Sequence, residues 1–336
     1  MKYYVVEKTY SSRGRLLSSD RITGDIEDIT WARKQMETRF QAKLIENRHS
    51  IKPGAIACSM TKCSMELKNG RYVIVIEEIP EAHPMKANEI LIALCNKYGG
   101  DWEVIYKELH KGKDLDISRD WLLKSPMTNK ITLVEEEYPI APKMLMYHKP
   151  FTLYYQGNLS LAQSSDSKRL CIAVSRHPDE LLYSKATGDI RKLPKSIVIV
   201  TSDGEVARSA IYSNHKVILV LACGVDWTAP QITEAQKRLV VDNGGLLITQ
   251  FPDHITPNPT LFPEKNDLMV ALSDAVLIIE GSKRSSTMMV AALAVNYSKD
   301  IMVYPTFPEN ETINNGLIKD GAYLVESAED IINILE

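Results

Sequence analysis

Residues 151–336 decide what this chain can be. Runs of continuous apolar, β-prone residues recur at 170–174 (LCIAV), 197–201 (IVIVT), 217–222 (VILVLA), 246–249 (LLIT), 275–279 (AVLII), 301–304 (IMVY) and 323–325 (YLV), with segments of helix length between them. A strand with one wet face alternates apolar and polar residues, whereas a strand that is apolar throughout is covered on both faces. Such strands alternating with helices predict an α/β fold with a mostly parallel sheet between helical layers. Ligands of these sheets bind outside the carboxyl ends of the strands, so the turns after these runs are where chemistry is expected.

The first 150 residues follow another pattern. Residues 2–10 are rich in Tyr and Val, Ser11-Ser12-Arg13-Gly14-Arg15 supplies turn chemistry, and 16–22 returns as a second arm. Ile29, Ala32, Met36, Phe40 and Leu44 then recur at three- and four-residue steps, the mark of a helix with one buried stripe. Pro53-Gly54 ends it. Two more strands, about 55–67 and 71–79, are joined by Lys68-Asn69-Gly70, a strong hairpin signal. The expectation is a small ββαββ unit with a helix over four antiparallel strands. Beyond Pro80 and Pro84 come short helices at about 85–97 and 101–110 around Gly99-Gly100, and an irregular connector from 125 to 150 carrying Pro126, Pro139, Pro142 and Pro150. The chain therefore divides into an α+β unit (1–80), a helical and connecting region (81–135) and the large α/β domain (136–336).

With 40 Lys and Arg against 43 Asp and Glu, the net charge of −3 gives no global attraction to polyanions. Residues 1–150 carry 24 basic against 21 acidic side chains and residues 151–336 carry 16 against 22, so a polyanion site in the second half must be local. Arg33, Lys34, Arg39, Lys43 and Arg48 make the first helix a possible nucleic-acid face, with a merely solvated face or a partner surface as the alternatives. The longest apolar runs, such as 217–225, fall short of the ~18 residues of a membrane span, and the first ten residues hold no export signal. A cytoplasmic protein is expected. The five cysteines, at 58, 63, 95, 171 and 223, form no CxxC pair and read as free thiols in a reducing compartment.

Among the strand-end turns, Ser175-Arg176, Ser202-Asp203-Gly204, Gly224-Val225-Asp226 and Gly281 to Thr287 hold the polar groups. The last lies between a strand ending in Glu280 and the helical stretch MMVAALAV, so amides and hydroxyls at a helix N-terminus could face a phosphate beside Lys283 and Arg284. Ser and Thr that simply cap the helix are the competing reading. There is no GxGxxG, no P-loop and no GxSxG, and the seven histidines show no metal-ligand spacing. No cofactor, no metal and no catalytic constellation are expected.

From about Tyr138 onward a series of phrases runs in unbroken order: YPIAPKML, FTLYYQGNLSLA (151–162), IAVSR (172–176), ILVLACGVDWTAP (218–230), GGLLITQFP (244–252), LFPEKNDLMVALSDAVLIIEG (261–281), RSSTMMVAALAV (284–295) and NNGLIKDGAYLVESAEDII (314–332). Over nearly 200 residues they resemble the DprA/Smf family of bacterial DNA-processing proteins, which bind single-stranded DNA and load RecA onto it. The resemblance implies an extended Rossmann-like domain, single-stranded DNA in a basic pocket above the strand ends, and a homodimer formed through the later portion.

Carried over residue by residue, the family's pocket maps to Ser175 and Arg176 of its "GSR" turn, Arg208, Lys265 and Asn266 of its "RN" pair, and Lys283, Arg284, Ser285, Ser286 and Thr287 of its anion loop. Departures are concentrated there. Val174, Ser209 and Ser286 replace glycines, Glu205 is inserted, and Asp267 replaces an arginine. Five surviving cations, Arg176, Arg208, Lys265, Lys283 and Arg284, predict binding that is weak or salt-fragile. Trp227 and Phe262 lie near the expected loops as stacking or packing rings. The expected role is that of a DNA-processing protein acting in recombination or DNA uptake (transformation), with single-stranded DNA and a RecA-like recombinase as partners. Two other readings stand beside it. One is a nucleotide sensor or N-glycosidic hydrolase of the SLOG or lysine-decarboxylase-like type, using Asp226 and Glu280; the other is a scaffold whose pocket has drifted.

Overall fold

The computed structural model describes residues 2–79, 85–112, 115–124, 128–143, 148–164, 166–228, 232–308 and 311–336. Pro80, Pro84 and Pro126, and Ala229-Pro230 of the 218–230 phrase, lie outside the described residues. The chain forms two compact units, 1–84 and 85–336.

In the first unit, β1 (Lys2–Ser11), β2 (Leu16–Arg21), α1 (Ile29–Asn47), β3 (Ile51–Cys58), β4 (Lys62–Leu67) and β5 (Gly70–Ile79) make an antiparallel sheet of order β2-β1-β5-β4-β3. Asp28 caps α1 by accepting from Thr30 N at 2.8 Å. One helical stripe, Ala32, Met36 and Phe40, is buried against Val5, Met65, Tyr72 and Ile74. The sheet has five strands, not the four expected. Ser59-Met60-Thr61 turns the chain without glycine or proline, and Lys62 N donates to Ser59 Oγ at 3.1 Å across that turn. Pro53-Gly54 does not separate helix from strand; it sits inside β3, where the register slips between Ile51 and Ile56 and Gly54 takes φ +73. Cys58 and Cys63 face each other across the β3/β4 ladder, Cα atoms 4.1 Å apart, joined as a disulfide. The expectation of free thiols therefore holds only for Cys95, Cys171 and Cys223, all buried.

The second unit contains α2 (Ala87–Tyr98), α3 (Trp102–Leu109), β6 (Asn129–Thr132), α4 (Ile140–Lys143), β7 (Thr152–Gly157), α5 (Ser160–Gln163), β8 (Arg169–Val174), α6 (Glu180–Lys192), β9 (Val198–Thr201), α7 (Gly204–Tyr212), β10 (Val217–Val220), α8 (Glu234–Asp242) and β11 (Leu246–Thr249). It continues through α9 (Phe262–Ala271), β12 (Ala275–Glu280), α10 (Ser286–Asn296), β13 (Asp300–Val303), α11 (Asn314–Lys319), β14 (Tyr323–Leu324) and α12 (Ala328–Leu335). Nine strands form one sheet, order β14-β13-β12-β8-β9-β10-β11-β7-β6. It is parallel from β14 to β11, with β7 and β6 added antiparallel. The stretch read as an irregular connector thus contains an edge strand, β6, with Thr132 N and Oγ1 both donating to Glu135 Oε2 at 2.7 Å.

Both faces of the sheet are covered, as continuous apolar strands require. Leu170 and Ile172 of β8 enter one core and Cys171 and Ala173 the other. The helical pair α2/α3 belongs to the first of these cores through Leu94, Cys95 and Ile105. A buried bond fixes it there, Tyr154 Oη donating to Asn96 Oδ1 at 2.8 Å. No helix among the described residues is long and apolar enough to cross a membrane.

Candidate functional site

Strands β8 to β11 are laid down in one direction, and the chain then returns to place β12 on the other side of β8. Helices leave such neighbouring strands to opposite faces of the sheet, and a crevice opens at their carboxyl ends. A cavity of about 900 Å³ occupies that position. Its walls come from Ser175-Arg176 after β8, Ser202-Asp203 after β9, one flank of α9, and the stretches Glu280–Ser282 and Arg284–Thr287.

The β12 side is held tightly. A bulge between Ile278 and Glu280 turns the strand end, and Glu280 Oε2 accepts from Asp179 N at 2.7 Å. Buried Asn314 then fastens the next residue: its Nδ2 donates to the carbonyls of Ile279 and Tyr304 at 2.8 Å each, and its Oδ1 accepts from Gly281 N at 3.2 Å. A Cβ at Gly281 would sit 2.9 Å from Thr287 Cβ and Ile313 Cδ1, so only glycine lets the loop pass this close to α10. Ser285 caps α10, its Oγ accepting from Met288 N at 3.3 Å and donating to Ser282 O at 2.7 Å.

Lys265 and Asn266 of α9 form the floor. Lys265 is 8 % exposed, and its ammonium donates to Ser202 Oγ at 2.7 Å. Burial pushes its pKa down to about 8, against the pull of the Cys171 and Asp203 side chains. Asp203 caps α7, Oδ1 accepting from Glu205 N and Val206 N at 2.9 Å each; burial nevertheless raises its carboxyl above the usual range. Ser175 Oγ and Asn266 Oδ1 are buried with no hydrogen-bond partner among the described residues. A buried acceptor without a partner costs about 1–3 kcal/mol, so these two atoms are places where a ligand's donors would be rewarded.

Eight of the ten residues taken from the sequence come together here: Ser175, Arg176, Lys265, Asn266, Arg284, Ser285, Ser286 and Thr287. Two do not. Lys283 is exposed and off the wall, and Arg208 lies on the outer side of α7, paired with Glu205. Glu205 is the acid inserted beside it in sequence. Of the aromatic candidates, Phe262 lines the cavity with Lys265 Nζ 5.5 Å from its ring, while Trp227 does not. Asp226 is also away from the wall, so it does not meet Glu280. Missing from the sequence-derived set are Ser202 and Asp203, legible only as a strand-end turn, and Asn314, two of whose three contacts lie more than 30 positions away. The wall also carries Asp203, Glu280 and Glu311 against Arg176, Lys265 and Arg284, so its formal charges balance.

A mostly parallel Rossmann-like sheet with a capped helix N-terminus beside the crevice at its switch point defines a class of α/β proteins. Within that class, residues 129–336 match the model of the DNA recombination-mediator protein A family, and the chain belongs to that family. It is 28% identical over 236 residues to protein Smf of Escherichia coli, covering 67% of this chain and 61% of that one. It is also 25% identical over 197 residues to DNA processing protein DprA of Streptococcus pneumoniae, covering 56% of this chain and 67% of that one. The chain thus spans about three fifths of the length of the Escherichia coli relative. Among solved structures, DprA of Streptococcus pneumoniae superposes with a TM-score of 0.64 at 22% identity, over 75% of this chain and 99% of that one. DNA processing protein A of Helicobacter pylori, whose structure addresses its single-stranded DNA binding mode, gives 0.53 at 25% identity, over 62% and 96%.

Proposed function

We propose that the cavity between the ends of β8 and β12 binds single-stranded DNA without chemistry, and that the chain serves recombination or DNA uptake in the cytoplasm by handing that strand to a RecA-type recombinase. A homodimer formed through the later part of the domain completes the reading. The observation that carries it is the buried Lys265 ammonium at the foot of a pocket whose rim holds Arg176, Arg284 and the capped N-terminus of α10. Arginine suits two-point phosphate contact, and lysine acts as a point charge. Family membership and the DNA-binding relative from Helicobacter pylori support the same ligand.

With three carboxylates on the same wall, affinity rests on few phosphate contacts and is expected to be weak, with a correspondingly small slope against salt. The hydrolase alternative needs two cooperating carboxylates, whereas Asp226 stands off the cavity and Glu280 is engaged by the amide of Asp179. Fluorescence anisotropy of a labelled ~30-nucleotide single strand at two salt concentrations, beside a duplex and a mononucleotide, tests the proposal. Salt-dependent preference for the single strand supports it; displacement by mononucleotide alone, or no binding, overturns it.

A further inference from the structure

The family match begins at residue 129 and leaves the amino-terminal unit unassigned. We propose that the face of its sheet opposite α1 is a second surface for single-stranded nucleic acid, independent of the β8/β12 cavity. Cross-strand pairing sets Tyr10, Arg71 and Glu66 in one row of that face, Lys8 and Val73 in the next, and Val6, Val75 and Lys62 in a third. Tyr72 and Ile74, one position out of phase, point the other way into the core beneath α1.

At one end of this face a cavity of about 400 Å³ opens between the β1/β2 turn and strands β3 to β5. Lys52, Lys62 and Arg71 stand on its wall, and Glu66 is the one acid among its described lining residues. Arg71 is paired to Glu66 at 3.2 Å, which leaves Lys52 and Lys62 exposed with no carboxylate partner among the described residues. Arg13 and Arg15 flank Ser12 and Gly14 of the rim and are exposed.

The basic residues of α1 contrast with these, because most are already neutralised. Arg33 pairs with Glu37 at 2.8 Å, Arg39 with Glu7 at 3.0 Å, and Lys43 with Glu46 at 2.8 Å. Lys34 of α1 and Arg48 beyond it lack a carboxylate partner among the described residues, and on the sheet side, where Lys8 is paired with Glu77, so do Lys52 and Lys62, beside the half-buried ring of Tyr10. Cations spaced along a groove with an aromatic ring on its wall are what a phosphodiester strand needs, phosphates meeting the lysines and a base stacking on the ring. Charge complementarity selects a polyanion, and the ring selects one with exposed bases.

The test uses the full chain in four forms: unchanged, K52A/K62A, K265A/R284A and all four substitutions together. Each is titrated with labelled oligo(dT) and oligo(rU) of ~30 nucleotides, and with a duplex, across a salt series. Removing two phosphate-contacting lysines should lower the slope of log K against log salt by about 1.4, at ~0.7 per phosphate on a single strand. That loss should appear in both the unchanged and the K265A/R284A backgrounds. Photocrosslinking of iodouridine-containing strands should mark Tyr10, and the mark should survive K265A/R284A. Lys52 and Lys62 are exposed and unpaired, so unchanged circular dichroism is expected. An unchanged slope for K52A/K62A in both backgrounds, or equal effects on duplex and single strand, overturns the proposal. A slope lowered by K52A/K62A but not by K265A/R284A would sustain this surface while removing the cavity reading.

Discussion

Lys265 Nζ donates to Ser202 Oγ at 2.7 Å across 63 positions of sequence, tying the flank of α9 to the turn after β9. The bond gives a buried ammonium one neutral partner, which orients it without discharging it. A positive charge is thereby kept at the foot of the cavity.

Because burial lowers this lysine to about 8, its charge titrates near physiological pH. Below that value it is an ammonium, and above it is neutral, so affinity for single-stranded DNA at fixed salt should fall as pH rises from 7 to 9. Lys265→Met should weaken binding at pH 7 and flatten the profile. The folded-state pKa lies below the unfolded one, so the unfolded chain holds the extra proton between about 8 and the normal lysine value. Stability should rise with pH through that window in the unchanged chain and not in Lys265→Met, as read from urea midpoints at pH 7 and 9.

Two of the three arginines taken from the sequence, Arg208 and Arg284, separate cleanly. Arg284→Ala should cost about tenfold in affinity for a single strand, the scale of one lost charge-assisted contact. Arg208→Ala should leave affinity and salt slope within error, since Arg208 is exposed and already paired to Glu205. Anisotropy titrations of the two variants side by side decide it.

Asn314 satisfies two carbonyls and one amide at the β12 end. Asn314→Ala leaves these buried groups without partners and should lower stability by about 2–3 kcal/mol, measured by urea denaturation. Binding should weaken beyond that effect, because Gly281 loses its anchor.

Gly281→Ala places a methyl 2.9 Å from Thr287 and Ile313. Overpacking of this kind costs about 1–3 kcal/mol. The start of α10 should be pushed off the wall, and single-strand binding should suffer more than the thermal midpoint, with both read on the same preparation.

The parallel sheet was legible because LCIAV, VILVLA and AVLII are apolar at every position, and only a strand covered on both faces has use for that. The helix stripe of Ile29 to Leu44 and the Asn-Gly hairpin were legible for the same reason: a periodicity or a turn chemistry is written locally. Ser59-Met60-Thr61 turns without either signal, so β3 and β4 read as one strand. NKIT is four residues among prolines, too short to show its pairing with β7. Family phrases point to Lys265, Asn266 and Arg284, and the fold sets all three on the cavity wall, the first two from α9 and Arg284 from the turn after β12. Arg208 failed because its helix presents it five positions past the Asp203 cap, on the outer side. Ser202 meets Lys265 63 positions on and Asn314 meets Ile279 35 positions back, and such partners leave no periodic trace; Asp203 acts locally, as the cap of α7.

The strands that frame the cavity are neighbours in space and strangers in sequence, with the Asp179 amide and the Glu280 carboxylate that meet there separated by 101 positions. During synthesis the β8 wall therefore emerges first and waits, open on one side, until β12 and α10 leave the ribosome. A nascent or prematurely ended chain has the first half of a grip and nothing to close it. Holding a ligand at this crevice is in effect a certificate that the domain has been made through to Asn314.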